Sequence, residues 1–488
     1  MNARMNFRTT EFYDNTLLRL KRVMRRFLAP ARLVASSFAG VILLGTFLLS
    51  LPIATRSGDS IPVIDALFTA ASATCVTGLI VYDTGTTFSL FGQIVILACI
   101  QIGGLGLMTF TTLFLVFAGR RMAIINRIAL QESFYHTPTQ QIRTLIRYIV
   151  VAAFTTEALG AIVLSVHWLI TNRFDTVSET IYQAVFHSIS AFCNAGFSLF
   201  SDSLTGFQRD PVVQFVMTSL IIAGGLGFLV VLDIEQYVKR MFFRRFFPGE
   251  RSMSIRPRLG VHTKLVLITT FILLVIGTIS YYFLERRGVF VHLSETEAWM
   301  NAYFCSVTPR TAGFNTVDYA RMSGASLLCT MVMMFIGASP GSTGGGVKTS
   351  TFAALIGYAF MRWRGHARLH LFHRTIPQVA LDRGAAIVIA GISLVIIASS
   401  VLMVTETYGD TPGESRRDMI SILFETISAF GTVGLSMGAT PLLTYAGKIV
   451  LTIVMFMGRI GPMTLALAIS RKQGAVQYRY AEENIMVG

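Results

Sequence analysis

Val76-Thr77-Gly78, Asn194-Ala195-Gly196, Thr311-Ala312-Gly313 and Thr432-Val433-Gly434 end alike, with their glycines 118, 117 and 121 residues apart. A constant period of that size marks one structural unit written four times. Each glycine closes a short apolar stretch in a chain that is 53% hydrophobic, 14% charged and has a mean hydropathy of +0.61. Soluble domains carry about 25% charged residues, so this composition describes a membrane protein. Four such turns meeting on one axis inside a bilayer predict a pore.

Working outward from the turns, long apolar runs stand at 33–53, 91–118, 148–170, 212–232, 265–284, 327–361 (interrupted), 385–404 and 446–470. About 20 apolar residues cross the hydrocarbon core, so the eight runs read as eight spans. The turn-bearing segments between them, for example 61–77 and 181–195, are too short and too polar to cross and read as re-entrant. The predicted fold is an all-α membrane protein of four helix, re-entrant pore loop, helix repeats around a pseudo-fourfold central pore. Its boundaries are a basic amphipathic arm at 1–32, repeats at 33–119, 146–238, 261–362 and 384–470, an intramembrane loop at 337–350, and a C-terminal tail at 471–488.

Charge gives the orientation. Of 41 Lys and Arg, 29 fall before the first run, in the inter-repeat connections or after the last run, whereas the turn-bearing segments hold 10, Lys448 among them, with 16 of the 26 acids. The positive-inside rule then places both termini in the cytoplasm and opens the turns outward. The net charge of +15 is thus a topology signal and does not point to nucleic acid. The arm, with Arg19, Lys21, Arg22, Arg25 and Arg26 among Leu17, Leu18, Leu20, Val23 and Phe27, reads as an amphipathic helix against anionic membrane lipid, and no cleavable signal is apparent. The five cysteines, Cys75, Cys99, Cys193, Cys305 and Cys329, form no CxxC pair and read as small buried residues.

Aligned on their glycines, the segments share further columns. Phe68, Phe186, Tyr303 and Phe424 lie ten residues earlier, and Ser72, Ser190, Val307 and Ser428 six earlier; the third copy departs most, with Pro309 and Arg310 before its turn. A dehydrated cation needs backbone carbonyls in place of its water shell, and glycine permits the angles that aim them. The candidate selectivity filter is therefore Val76, Thr77, Gly78, Asn194, Ala195, Gly196, Thr311, Ala312, Gly313, Thr432, Val433 and Gly434, with Thr77, Thr311 and Thr432 adding hydroxyls or bracing the loop. Helices ending at the turns would aim negative dipole ends at the ion.

With the runs Gly103-Gly104-Leu105-Gly106, Gly224-Gly225-Leu226-Gly227 and 337–349, these turns resemble the Trk/Ktr/HKT superfamily of potassium transporters over nearly the whole chain. Within it the chain is similar to the KtrB-type pore subunits, since the first repeat follows the basic arm directly and residues 480–488 resemble their tails, with alanine and asparagine where proline and lysine are expected. Glycine in all four turns fits a potassium-selective member. The resemblance implies potassium as the substrate held at the filter carbonyls, a homodimer of pore subunits on a ring of cytoplasmic nucleotide-binding regulatory subunits, sodium as an activator, and no organic cofactor in this chain. It also implies a gate below the filter, formed by Gly341, Ser342, Thr343, Gly344, Gly345, Gly346 and Lys348 together with Arg459.

Lys348 and Arg459 themselves stand at membrane depth, where an unpaired charge costs about 2.5–3.5 kcal/mol on insertion scales. Residues 341–349 superficially resemble a phosphate-binding loop, but Val347 separates Gly346 from Lys348 and no strand precedes it. Glu157 is the lone mid-span acid; a proton- or sodium-coupled potassium symporter would need such a group. A membrane enzyme using His187 and Glu425, nine residues before Gly196 and Gly434, is the rival of another class, and no HExxH set supports it.

Overall fold

The computed structural model describes residues 30–106, 139–246, 258–366, 368–408 and 411–461. The basic arm up to residue 29, the ends of the second and eighth apolar runs, and the C-terminal tail lie outside the described residues.

Among the described residues one element order is seen four times. A first helix is followed by a short helix, a glycine turn and a further helix: α1 (Pro30–Leu49), α2 (Val63–Thr74) and α3 (Leu90–Gly104); then α4 (Thr139–Ile170), α5 (Val177–Phe192) and α6 (Pro211–Gly225), continued by α7 (Phe228–Phe246). The order returns with α8 (Val261–Glu285), α9 (Glu295–Val307), α10 (Gly324–Phe335) and α11 (Thr349–Trp363), and again with α12 (Gln378–Glu406), α13 (Pro412–Gly431) and α14 (Tyr445–Ile460). A small hairpin, His370–Leu371 against Arg374–Thr375, joins the third set to the fourth.

Local sequence explains where these helices begin. Ser89, Asp210, Ser323 and Thr444 each accept a hydrogen bond from a backbone N–H in the first turn of the helix they precede, so α3, α6, α10 and α14 all start on a polar side-chain cap. In α6 the cap is followed by Pro211, whose missing N–H costs nothing at that position. The α9 helix opens with a full capping box between Ser294 and Glu297.

Among the described residues three single helices are long and apolar enough to cross a membrane, Ile146–Ile170 within α4, Val261–Glu285 and Gln378–Glu406. Their large apolar side chains face outward, as with Leu159, Phe271, Ile389 and Ile397. In water that arrangement would be costly, and in lipid it is the ordinary solvated surface. The predicted continuous run at 212–232 is instead bent by 99° between α6 and α7. Gly227 adopts φ +89° at the bend. The carbonyls freed at the end of α6 are taken up by another part of the chain, with Ser339 N–H donating to Gly225 O at 3.1 Å and Thr343 N–H to Gly224 O at 3.3 Å. Non-helical backbone at this depth survives because protein satisfies it.

Candidate functional site

Each glycine turn leaves the C-terminus of a short helix, α2, α5, α9 or α13. The residue two before the glycine is left-handed in all four, with φ +58° at Val76, +60° at Asn194, +69° at Thr311 and +49° at Thr432. The glycines are left-handed too, at +94°, +70°, +79° and +91° for Gly78, Gly196, Gly313 and Gly434. Left-handed β-branched residues cost of order 1–3 kcal/mol each, and such strain persists only where the surroundings impose it, commonly at ligand clamps.

The four turns meet. A Cβ added to Gly78 would stand 2.5 Å from Ala195 O, one on Gly196 2.9 Å from Ala312 O, and one on Gly313 2.5 Å from Val433 O. One on Gly434 would press closer still on Thr77 O, so the contacts pass from each turn to the next and return to the first. All twelve residues of the turns are buried except Gly196, which is half-buried.

Closure of the turns is alike in three cases. Thr77, Ala195 and Val433 donate their N–H to the carbonyls of Ser72, Ser190 and Ser428 at 2.8, 2.8 and 2.9 Å. The serine hydroxyls then accept from Gly78 N–H and Gly434 N–H at 3.1 Å, or in the second turn donate to Phe197 O at 2.7 Å. In the third turn Ala312 N–H reaches Thr308 O at 3.0 Å, and Thr308 Oγ1 donates to Phe314 O at 2.5 Å. Thr308 thus takes the serine position and buried Phe304 that of Phe68, Phe186 and Phe424. This corrects the glycine-aligned columns: Val307 and Tyr303, the latter 36% exposed, do not occupy them, because the third turn is one residue shorter.

His187 and Glu425 are packing groups. The His187 ring lies 2.8 Å from Gln183 O and 3.0 Å from Ser198 Oγ. Glu425 accepts from Ser436 Oγ, Met437 N–H and Thr440 Oγ1 at 2.6, 2.9 and 2.7 Å. Each ties its short helix to the chain leaving the turn.

Between α10 and α11, residues 336–348 run without helix and lie against three of the turns. Thr343 Oγ1 is 3.4 Å from the Asn194 amide, and Cβ atoms on Gly344 and Gly345 would strike the hydroxyls of Thr311 and Thr432. Of the three turn hydroxyls, those of Thr77 and Thr432 have no hydrogen-bond partner, so they brace by contact. Gly341 O accepts from Phe228 N–H at 3.0 Å, seating the segment in the bend between α6 and α7. Ser342 Oγ accepts from Gly344 N–H at 3.3 Å, and Gly346 is left-handed at φ +67°. Lys348 Nζ donates to Gly344 O at 2.6 Å and Gly345 O at 3.3 Å. Arg459 of α14 donates to Thr343 O and to Gly103 O, joining this segment to the end of α3. The twelve turn residues, residues 341–346, Lys348 and Arg459 thus lie in one contiguous region.

It also shows groups that sequence reasoning missed. Lys448, counted above with the outer segments, is buried and ion-paired with Asp65 of α2 at 2.6 Å, and Asp65 accepts from Tyr82 as well at 3.1 Å. The pair joins the last helix to the first turn-bearing helix. Corresponding places elsewhere hold Gln93 with Tyr182 at 2.8 Å and Gln214 with Asn301 at 3.4 Å, while between α10 and α13 the place is taken by buried Leu327. An ionisable residue within an apolar run signals a buried partner, but nothing in a separation of 383 residues names it. Glu157 accepts from Gln101 Nε2 at 3.0 and 3.1 Å and from Cys193 Sγ at 3.8 Å, directly behind the second turn.

Comparison with known proteins decides the family. A family model described as TrkH, cation transport protein, matches residues 21–478. The chain belongs to this family of cation transport proteins. Within it, the chain is 39% identical to the potassium/sodium uptake protein NtpJ of Enterococcus hirae, over 96% of this chain and 99% of the relative. It is 38% identical to the Ktr system potassium uptake protein B of Vibrio alginolyticus, over 94% of each. The crystal structure of the potassium transporter TrkH from Vibrio parahaemolyticus shares the fold, with a TM-score of 0.66, 19% identity, and coverage of 89% of this chain and 85% of that one. The family, the fold and the lipid-facing helices together make this a multi-pass membrane protein.

Proposed function

We propose that this chain carries potassium into the cell as the ion-translocating subunit of a Ktr-type uptake system, with the four turns forming the selectivity filter of one pseudo-fourfold pore. The observation that carries this reading is the closed ring of contacts, Gly78 to Ala195, Gly196 to Ala312, Gly313 to Val433 and Gly434 to Thr77. Relatives named as potassium uptake proteins, matched over nearly their whole length, support it. Potassium is the cargo, stripped of water and held by turn carbonyls at which four helix C-termini point.

The segment from Gly341 to Lys348 acts as the gate in this reading, with Arg459 as its latch. Gly344 and Gly345 stand against the hydroxyls of Thr311 and Thr432, so a passing ion requires the segment to move. Arg459 releases the segment by breaking its bond to Thr343 O. Eight spans are read from the apolar runs, and outward-facing turns and cytoplasmic termini from the charge distribution. A homodimer resting on cytoplasmic nucleotide-binding regulatory subunits, activated by sodium, completes the proposal.

Two experiments test it in a transport-deficient cell, with and without a co-expressed regulatory subunit. Gly78→Ser or Gly313→Ser lowers the ratio of potassium to sodium uptake; an unchanged ratio rejects the filter. Deleting residues 341–345 raises potassium flux and keeps selectivity, whereas a folded, silent protein rejects the gate. The second reading, a proton- or sodium-coupled symporter, rests on Glu157, whose carboxylate lies behind the second turn with no basic partner among the described residues. That reading fails if Glu157→Gln leaves uptake and its pH dependence intact.

A further inference from the structure

Four cationic side chains lie near the turns, Lys448 and Arg310 buried and Lys348 and Arg459 half-buried, and three are compensated. Lys448 is paired with Asp65, Lys348 rests on the Gly344 and Gly345 carbonyls, and Arg459 on those of Thr343 and Gly103. Arg310 is the exception. It is 6% exposed, makes one side-chain hydrogen bond, Nη2 to Thr270 Oγ1 of α8 at 3.2 Å, and leaves its Nε without a partner. Among the described residues no carboxylate lies within ion-pair distance of it. A guanidinium does not give up its proton to escape such a site.

Arg310 immediately precedes Thr311, the first residue of the third turn, where neutral Cys75, Cys193 and Gly431 precede the other three. Resting on the reading of the four turns as a cation filter, we propose that Arg310 sets its charge selectivity, holding the turns at a positive potential that admits a monovalent cation and turns away a divalent one. The reason is electrostatic. The interaction of a fixed charge with an ion scales with the ion's charge, and a low-dielectric surrounding carries it farther than water would. A ring of carbonyls aimed at by helix C-termini attracts a divalent ion twice as strongly as a monovalent one, and conduction requires binding weak enough for release. An uncompensated cation beside the ring lowers both affinities, the divalent one by the square of the monovalent factor. A merely structural role, pinning α8 to the third turn, has no such signature.

The test uses the full-length protein in proteoliposomes, with potassium uptake measured against barium, a divalent ion of nearly potassium's size, as inhibitor. Arg310→Gln tightens apparent potassium affinity about threefold and lowers the half-inhibiting barium concentration about tenfold, as the square law requires. Thr270→Glu keeps the arginine but gives it a carboxylate partner, so it shifts barium inhibition in the same direction as Arg310→Gln; if the glutamine variant does not fold, this one decides. Barium and potassium shifting by equal factors, or neither shifting, overturns the proposal. A wild-type protein that conducts potassium selectively while the variants leave barium inhibition unchanged overturns this inference alone; a wild type without potassium selectivity overturns the filter reading and this inference with it.

Discussion

At the fourth turn, Gly458 of α14 lies flush against the carbonyl of Phe430, and the same contact recurs between Gly103 and Thr74 and between Gly224 and Phe192. At the third turn the glycine in the corresponding run, Gly337, faces instead the carbonyl of Gly345 in the non-helical segment. In three places, then, a helix backbone touches the end of a turn-bearing helix with no side chain between. In the remaining place a separate stretch of chain is interposed. It is held by hydrogen bonds from Lys348, Arg459 and the end of α6, so its displacement would part no helix from its turn. The neighbouring seam differs in the same sense: buried Leu327 stands between α10 and α13 where the other seams carry polar or ionic pairs.

The comparison is broken most severely at the seam that closes the ring. Lys448→Met leaves the Asp65 carboxylate buried without its cation, and removing one partner of a buried pair costs about 3–5 kcal/mol. Thermal unfolding of the solubilised protein shows that loss, and Asp65→Asn combined with Lys448→Met recovers most of it. Stability equal to wild type in the single variant means the ion pair does not hold the ring.

Next in size is the contrast between the glycines. Gly458→Ala forces a methyl onto the Phe430 carbonyl and costs about 1–3 kcal/mol, as overpacking does, with reduced flux. Gly337→Ala presses on Gly345 of the non-helical segment, and if that segment is the proposed gate it raises basal flux at smaller cost in stability. Equal effects on flux at the two glycines erase the distinction between a fixed and an interposed contact.

The smallest effect sharpens the register. Thr308→Val and Ser190→Ala each remove one hydroxyl bond within a turn and lower stability by about 1 kcal/mol. Val307→Ala leaves that bond in place and keeps potassium selectivity. A Val307 variant that loses selectivity while Thr308→Val keeps it restores the glycine-aligned columns.

The turns were legible because their chemistry is local: a left-handed backbone at the turn calls for glycine, and the same demand recurs at the same interval. The non-helical segment was legible for a related reason, since glycines and a lysine interrupt an apolar run. Phe304 and Thr308 were not found, because a one-residue contraction is invisible once four copies are aligned on a shared glycine. Arg310 was counted with the outer charges, since membrane depth near a re-entrant turn is not written in hydropathy.

By itself, the sequence determined that this is a membrane protein in which a glycine turn recurs four times. Those properties depend on composition and on backbone angles a few residues long. Only the tertiary structure decided that Asp65 meets Lys448, that Gly344 and Gly345 rest on Thr311 and Thr432, and that Arg310 meets no carboxylate among the described residues. Each is a relation between side chains brought together by packing from distant parts of the chain, and no local preference encodes which partner arrives.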